Sequence, residues 1–406
     1  MIIGPCTVVT GGLHPGVLED AGVRVMGSHI AHVGPAGQLA AAYPQDTRWP
    51  ARGRVLMPGF VNTHAHLARH LARGLGLRRP EQWRRYERAL SPEDVHWAAQ
   101  AALVEGVRHG VTTVCDFHRS GSAIDLSLSE VMLAARKVGV RLATCYGASD
   151  RDAAGERRAA LEECVGLAAD VQARRTGRLR GMVGVQATTL EGIEAMLDEA
   201  LAAAGDGLGV HVDLDLDVTP AERWSARHAW DGSELPAVWA HAERAPRALL
   251  GLARERGDVL SASGSGSSAA LAREAEVAWG SDGGANAPPL ADATPGWALG
   301  AHAELHYQRL FVHGATWAAP HFGERLGVVE SGAPADLLLV DYRPATEFSA
   351  RTLLDHLAFG LLRAPVSGVM VGGDVVMDNG VLLSADEDEV AARARECARR
   401  VWSRLD

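Results

Sequence analysis

Two histidines separated by one residue are the clearest chemical feature of the sequence. His64 and His66 end an extended apolar run, Met57-Pro-Gly-Phe-Val-Asn-Thr-His-Ala-His66. Alternate side chains of a β-strand share one face, so both imidazoles can reach one metal ion, whereas a helix would separate them. Imidazole is a preferred ligand of Zn, Fe, Ni and Cu. Many such pairs are surface histidines, so a metal site also needs ligands from elsewhere in the chain.

Short apolar runs alternate with helical stretches rich in Ala, Leu, Glu and Arg. Eight runs occur, at residues 55–63, 110–117, 141–148, 179–187, 207–212, 237–242, 258–263 and 278–282. Strands that alternate with helices pair in parallel, and eight of them indicate an α/β fold with a closed (β/α)8 barrel. Catalytic residues of such barrels lie at the carboxyl ends of the strands.

Several of these predicted strands end in residues that can do chemistry. They are His64 and His66, Asp116 and His118, Gln186, His211, His241 and Asp282. His64, His66, His211 and Asp282 together offer three nitrogens and one carboxylate, enough for a divalent ion with a position left for water. His241 would neighbour that water.

The flanks of the barrel have a different pattern. Residues 1–54 and 325–384 are rich in Gly and Val, with alternating apolar patches. We expect both flanks to build one small β-sandwich around a barrel of residues 55–324. Residues 385–406 have helical periodicity and predict a closing helix.

Length and composition narrow the class of protein. A chain of 406 residues suits a barrel of roughly 250 residues with an added domain. The net charge of −10 argues against nucleic acid or an anionic membrane as partner. The start of the sequence lacks a basic leader, and no apolar run approaches the roughly 18 residues of a membrane span. We expect a cytoplasmic protein with a small-molecule substrate. The oligomeric state stays open, and a homodimer is the commonest symmetric arrangement.

Several motifs resemble the amidohydrolase superfamily. They are Pro58-Gly-Phe-Val-Asn-Thr-His-Ala-His66, the strand-end His211 and His241, Gly280-Ser-Asp-Gly283, and Leu326-Gly-Val-Val-Glu-Ser-Gly-Ala-Pro-Ala-Asp-Leu337. The segments 110–118, 145–152 and 356–360 are similar to the SsnA-like branch of aminohydrolases. The resemblance covers nearly the whole chain.

The resemblance implies a hydrolase with one metal ion, whose bound hydroxide attacks a carbon that carries nitrogen or another leaving group. It makes His64, His66, His211 and Asp282 the ligands, Asp282 also the proton shuttle, and His241 the residue that orients hydroxide or substrate. A bridging modified lysine of a two-metal site would have to be Lys137, the only lysine, which lies in the last turn of a predicted helix. One metal is therefore favoured.

The sequence departs from the family at the positions that recognise the substrate. Leu214 stands where deaminases carry a proton-donating Glu. If the strand continues, Asp213 and Asp215 share the face of His211 and either could replace that Glu, although a solvated acidic loop is the alternative. Gln186 and Ala262 stand where the family commonly has His. We expect His118, Gln186 and Ser263 to contact the substrate.

These observations predict a single-metal hydrolase of non-peptide C–N bonds in a small polar substrate, either a heterocycle or a cyclic amide. The expected metal is Zn, with Fe or Mn as alternatives. The competing hypothesis is a catalytically silent relative that retains the metal and acts as a binding protein.

Overall fold

The computed structural model describes residues 1–174, 177–205, 207–215, 234–245, 247–262, 276–283 and 303–405. The N-terminal flank forms five strands and one short helix. These are β1 (Ile2–Val9), β2 (Val17–Met26), β3 (His29–Pro35), α1 (Ala36–Ala42), β4 (Arg48–Trp49) and β5 (Val55–Pro58).

Nine strands follow in the central part of the chain. They are β6 (Phe60–Ala65), β7 (Val111–His118), β8 (Arg141–Ser149), β9 (Leu179–Gly181), β10 (Val183–Ala187), β11 (Val210–Leu214), β12 (Val238–Ala240), β13 (Val259–Ala262) and β14 (Val277–Trp279). Eight of them form a parallel sheet in the chain order β6, β7, β8, β10, β11, β12, β13, β14, and β9 pairs with β8 alone.

The two ends of this sheet meet. The Thr63 hydroxyl donates to the Trp279 carbonyl oxygen at 2.9 Å, and the Ser281 amide donates to the His64 carbonyl oxygen at 2.8 Å. The predicted eight-stranded parallel barrel is confirmed.

The first apolar run forms two strands, so the prediction of one strand over residues 55–63 is wrong. β5 runs antiparallel to a strand of the C-terminal flank, whereas β6 pairs with β7. The chain passes between the two sheets at Gly59, where a Cβ atom would lie 2.2 Å from Thr112 Oγ1. A larger residue at position 59 would clash with the next barrel strand.

Helices surround the barrel. They are α2 (Pro80–Ala89), α3 (Pro92–Arg108), α4 (Ser127–Val138), α5 (Ala154–Ala173), α6 (Leu190–Ala204), α7 (Arg247–Arg256), α8 (Ala303–Tyr307) and α9 (Gly314–Phe322). The π-helical segment Gln308–His313 joins the last two. Ser91 caps the start of α3 by accepting a hydrogen bond from the Asp94 amide, and Gly139 ends α4 in the left-handed conformation.

The C-terminal flank completes the second sheet. Its elements are β15 (Leu337–Val340), α10 (Leu353–Phe359), β16 (Val366–Val371), β17 (Asp374–Asp378), β18 (Val381–Leu382) and α11 (Glu387–Ser403). The sheet order is β18, β17, β16, β15, β5, β1, β2, β3, with β4 added beside β1. The predicted closing helix is α11, which begins where Asp386 accepts hydrogen bonds from the amides of Asp388 and Glu389.

Alternation along the strands gives the flank sheet two different faces. Leu337 and Leu339 belong to a separate core of the flanks, whereas Leu338 and Val340 pack into the barrel core. Both ends of the chain therefore share a β-domain with its own core, which is fixed against the barrel. Within the described ranges, every helix is too short or too polar to cross a bilayer.

Candidate metal centre

His64 and His66 are buried at the carboxyl end of β6, with 1% and 3% of their surface exposed. His64 is within the strand, and His66 follows its last residue and precedes the 3₁₀ turn Leu67–Ala72. The Nε2 atoms of both side chains are buried and have no hydrogen-bond partner. Buried polar atoms are normally satisfied, so two unsatisfied nitrogens side by side indicate that these side chains can hold a ligand.

The other ring nitrogen of each histidine is held by a neighbour. His66 Nδ1 lies 2.7 Å from the Phe117 carbonyl oxygen, and His64 Nδ1 lies 2.9 Å from His211 Nε2. Because a carbonyl oxygen can only accept, the His66 proton is on Nδ1 and the Nε2 lone pair is free. Metal-binding histidines usually have this arrangement, in which the second ring nitrogen donates a hydrogen bond to a group outside the metal site that orients the ring.

Asp282, which follows β14 beside β6, and His241, which follows β12, approach the same point. Asp282 Oδ1 lies 3.7 Å from His64 Nε2, 3.4 Å from His66 Nε2 and 3.6 Å from His241 Nε2. One donor atom from each of the four side chains falls within 4.8 Å of the others. Metal–ligand bonds of about 2.0–2.2 Å place tetrahedral donor atoms at comparable separations, so the residues fit a divalent ion.

The backbone is unusual at two of these four residues. His241 has φ 56° and Asp282 has φ 53°, in the left-handed region that residues other than glycine rarely adopt. Such a conformation costs about 1–3 kcal/mol and persists at functional sites because the surrounding structure enforces it. His241 directly follows β12, and Asp282 lies shortly after β14. The left-handed conformation therefore turns both side chains into the barrel mouth.

The electrostatic environment shifts the pKa values of His66 and His241 in opposite directions. Burial, with the nearby Arg69 charge, holds the pKa of His66 well below 6.5 and so favours the neutral form that binds metals. Burial also opposes protonation of His241, but the Asp282, Glu243 and Asp213 carboxylates outweigh it and raise the pKa of His241 well above 6.5. Burial opposes ionisation of Asp282, but its pairing with His241 outweighs burial and holds the pKa of Asp282 well below 3.8.

His211 lies behind His64. Its ring is fully buried, with Nε2 hydrogen-bonded to His64 and Nδ1 3.3 Å from Cys115 Sγ. The structure therefore gives both ring nitrogens of this predicted ligand a protein partner.

Asp213 comes two residues later on the same face of β11. Its side chain is 3% exposed, and its Oδ2 accepts a hydrogen bond from Gln186 Nε2 at 2.9 Å. Oδ2 lies 3.8 Å from His66 Nε2, while Oδ1 lies 3.5 Å from His241 Nε2 and has no hydrogen-bond partner. The structure thus brings Asp213 to the predicted site, where sequence reasoning considered it only as a proton donor.

A cavity of about 160 Å³ opens above these residues. Its lining consists of Arg69, Arg78, Pro80, Trp83, Arg84, Glu87, Gln186, Asp213, Asp215, His241 and Asp282. The predicted catalytic Asp215 and substrate contact Gln186 therefore face the same space as Asp282. Leu214, between the two aspartates, is fully buried on the opposite face of the strand.

The other two predicted substrate contacts have different positions. His118 is buried, and its Nε2 is 2.9 Å from Ser120 Oγ. Burial, with the Arg119 charge, lowers the pKa of His118 to about 3. It is absent from the described lining of the cavity. Ser263 lies outside the described residues, and both substrate contacts stay predictions.

Sequence reasoning missed Arg69 as a site residue. Its Nη1 lies 3.4 Å from Asp282 Oδ1, its Nη2 lies 3.1 Å from Glu87 Oε1, and its guanidinium carbon is 4.8 Å from the Trp83 ring centroid. The available signal was its position one turn after His66, whose carbonyl oxygen accepts the Arg69 amide. Arg69 therefore links the proposed metal ligands to α2, which carries Trp83.

Asp116 stabilises the turn that follows His66. Its two carboxylate oxygens accept hydrogen bonds from the Leu67 amide and the Thr144 hydroxyl, both at 2.9 Å. Burial raises the pKa of Asp116 to about 7, although these hydrogen bonds oppose the rise. The sequence placed Asp116 at a strand end without indicating this role.

The sequence is similar to that of known hydrolases. Residues 55–229 match the amidohydrolase family. The chain is 25% identical over 441 residues to a 5-methylthioadenosine/S-adenosylhomocysteine deaminase of Pelotomaculum thermopropionicum, covering 100% of this chain and 99% of the relative. It is 26% identical over 429 residues to the deaminase of the same name from Moorella thermoacetica, covering 97% of each.

Solved structures show the same fold. An adenosine deaminase from Xanthomonas campestris with bound zinc has a TM-score of 0.72 at 19% identity, covering 99% of this chain and 98% of that one. A zinc complex of atrazine chlorohydrolase from Arthrobacter aurescens has a TM-score of 0.68 at 19% identity, covering 98% and 99%. The predicted resemblance and barrel architecture are confirmed.

Proposed function

This chain is related to the amidohydrolases, and we propose that it is a single-metal hydrolase of a non-peptide C–N bond in a small polar substrate. One observation carries the proposal. The unpartnered Nε2 atoms of His64 and His66 converge with His241 on Oδ1 of Asp282. Without an ion, these buried nitrogens would forgo hydrogen bonds, which is costly.

His64, His66 and Asp282 are the ligands that we assign with these contacts, and zinc is the metal that we propose. Neutral imidazole and carboxylate both suit zinc, and Fe or Mn could occupy the same donor set. Related proteins of the same fold hold zinc in their solved structures. A divalent ion, when bound, lowers the pKa of water and polarises the atom under attack.

We assign the proton transfers to residues that line the cavity. Asp282 accepts the proton of the attacking water and delivers it to the leaving nitrogen, because its carboxylate reaches both the ligands and the open space. Arg69 holds Asp282 in place through its contact at 3.4 Å. His241, between Asp282 and Asp213, orients the water or the substrate.

The substrate class follows from the lining of the cavity. Trp83 lines the cavity as the aromatic contact proposed for a planar ring, and Gln186 and Asp215 line it as polar contacts. The deaminase names of the full-length relatives favour a nitrogen heterocycle over an open-chain amide. Asp215 is the proposed proton donor to such a ring. It would replace the family's glutamate, whose position Leu214 occupies in this chain.

The test combines metal analysis with a substrate panel. We expect purified protein to hold about one divalent ion per chain and to hydrolyse at least one heterocyclic amine or cyclic amide. Asp282→Asn should lower kcat about 10²- to 10⁴-fold, the range of a positioned acid–base group. Asp374→Asn makes the same chemical change on an exposed flank residue and should leave kcat unchanged. Bound metal with no turnover of any panel member would instead support the binding-protein hypothesis.

A further inference from the structure

We propose that strand β11 contributes Asp213, and not His211, to the metal, and that His211 is a positioning residue for His64. The inference rests on the proposed metal centre but concerns which residues of this chain complete it. The resulting ligand set is His64, His66, Asp213 and Asp282. It has two carboxylates where the sequence predicted one.

Both ring nitrogens of His211 have hydrogen-bond partners in the protein. If His64 presents Nε2 to an ion, its proton is on Nδ1, which donates to His211 Nε2 across 2.9 Å. The His211 proton must then be on Nδ1, where Cys115 Sγ lies 3.3 Å away. Both nitrogens of His211 are used in orienting His64, so binding a metal would require breaking one of these contacts.

His211 and Asp213 lie at different depths in the barrel. Period-two alternation puts His211 and Asp213 on one face of β11, and Asp213 is nearer the carboxyl end, where the barrel opens. In the sheet register Asp213 lies level with Gln186 of β10 and Ala240 of β12. His211 is level with Gly184 and Val238, one layer further into the barrel.

The Asp213 carboxylate lies close to two of the site histidines. It is almost completely buried, yet Oδ1 accepts no hydrogen bond. Its oxygens lie 3.8 Å from His66 Nε2 and 3.5 Å from His241 Nε2, close to the 3.4–3.7 Å that separate Asp282 from the two β6 histidines. A buried carboxylate is retained at low cost when it coordinates a cation.

Gln186 then has a defined role. Its amide donates to Asp213 Oδ2 at 2.9 Å, which orients the carboxylate as an outer partner orients a ligand. A neutral amide can serve a carboxylate in this way, whereas it could not replace a metal-binding imidazole equally well. Two carboxylates and a divalent ion form a set with no net charge, and the added oxygen ligand suits Mn better than a third imidazole would.

The test counts imidazole ligands by X-ray absorption spectroscopy on the zinc-loaded full-length protein. We expect two imidazoles in the wild type, two in His211→Gln and three in Asp213→His. Zinc affinity, measured by competition with a chromogenic chelator, should fall in Asp213→Asn by more than the roughly 10- to 100-fold that an outer-partner change costs. Melting in EDTA should show that each variant apo-protein still folds.

Three results would overturn the inference. They are a wild-type count of three imidazoles, a count that falls in His211→Gln, or wild-type zinc affinity in Asp213→Asn. A wild-type protein that binds no divalent ion would overturn both this inference and the proposed function. Zinc bound with two imidazoles but without hydrolysis would contradict only the proposed function.

Discussion

His64 Nδ1 and His211 Nε2 lie 2.9 Å apart, so one imidazole of the barrel orients another. His66 Nδ1 is held in the same way by the Phe117 carbonyl oxygen at 2.7 Å. Both histidines of the β6 pair therefore present Nε2 towards Asp282 before any ion binds. A preorganised site of this kind holds its geometry through the surrounding barrel and not through the metal.

Replacing His66 should remove the metal. We expect His66→Ala to lose most of its bound ion and at least about 10²-fold in kcat, because one of three assigned ligands is gone and the bound water is no longer activated. Metal content by mass spectrometry and turnover of the best substrate measure the two effects. His14→Ala, on an exposed turn, is the matched control. Full metal content in His66→Ala would contradict the assigned site.

Period-two alternation predicted that His64 and His66 share one face of a strand, and the alternation of eight apolar runs with helical stretches predicted the barrel. His64, His66 and Asp282 meet because parallel strands bring their carboxyl ends to one edge, and this depends only on the order of the strands. Alternation assigns side chains to a face but not to a depth. His211 and Asp213 share a face, so only the observed register distinguishes the buried residue from the one at the mouth.

Other features depend on contacts that no local pattern encodes. Arg69 reaches Asp282 because the chain turns after His66, and the turn is held by Asp116 of a different strand. The break at Gly59 reflects its packing against Thr112. These contacts join segments far apart in sequence, so periodicity could not reveal them.

Arg69 should matter for catalysis more than for metal binding. Arg69→Gln removes the 3.4 Å contact with Asp282 Oδ1, so we expect kcat to fall about 10- to 100-fold as the carboxylate loses its position. Metal content should change little, because His64, His66 and Asp282 remain. Parallel measurements of kcat and zinc stoichiometry distinguish these effects. Arg73→Gln removes a more exposed arginine that pairs with Glu105, and its kcat should match the wild type.

Arg141 should fix the flank sheet to the barrel. Only 1% of this residue is exposed, and it pairs with Asp336 at 2.6 Å and Glu324 at 2.8 Å. Arg141→Met leaves Asp336 buried without its cation, which should lower the free energy of unfolding by about 3–5 kcal/mol. Urea denaturation measures the change. Arg174→Met breaks an exposed pair with Asp170 and should cost at most about 1 kcal/mol. Equal losses in both variants would refute this role.

His321 should make stability depend on pH. Burial, with the nearby Arg180 charge, lowers the pKa of His321 to about 4, and its Nε2 is held 2.9 Å from the Pro236 carbonyl oxygen. The unfolded chain takes up this proton near pH 6.5 while the folded chain does not, so stability falls as pH drops from 6.5 to 4 and the loss then levels off.

His321→Gln isolates this contribution. The glutamine amide can still donate to the Pro236 carbonyl oxygen but does not titrate. We expect the wild type to lose about 3 kcal/mol more than His321→Gln between pH 7 and pH 4, measured by urea denaturation across that range. His109→Gln, on an exposed helix end, should leave the wild-type slope unchanged. Parallel pH profiles for the wild type and His321→Gln would show that His321 is not held neutral in the fold.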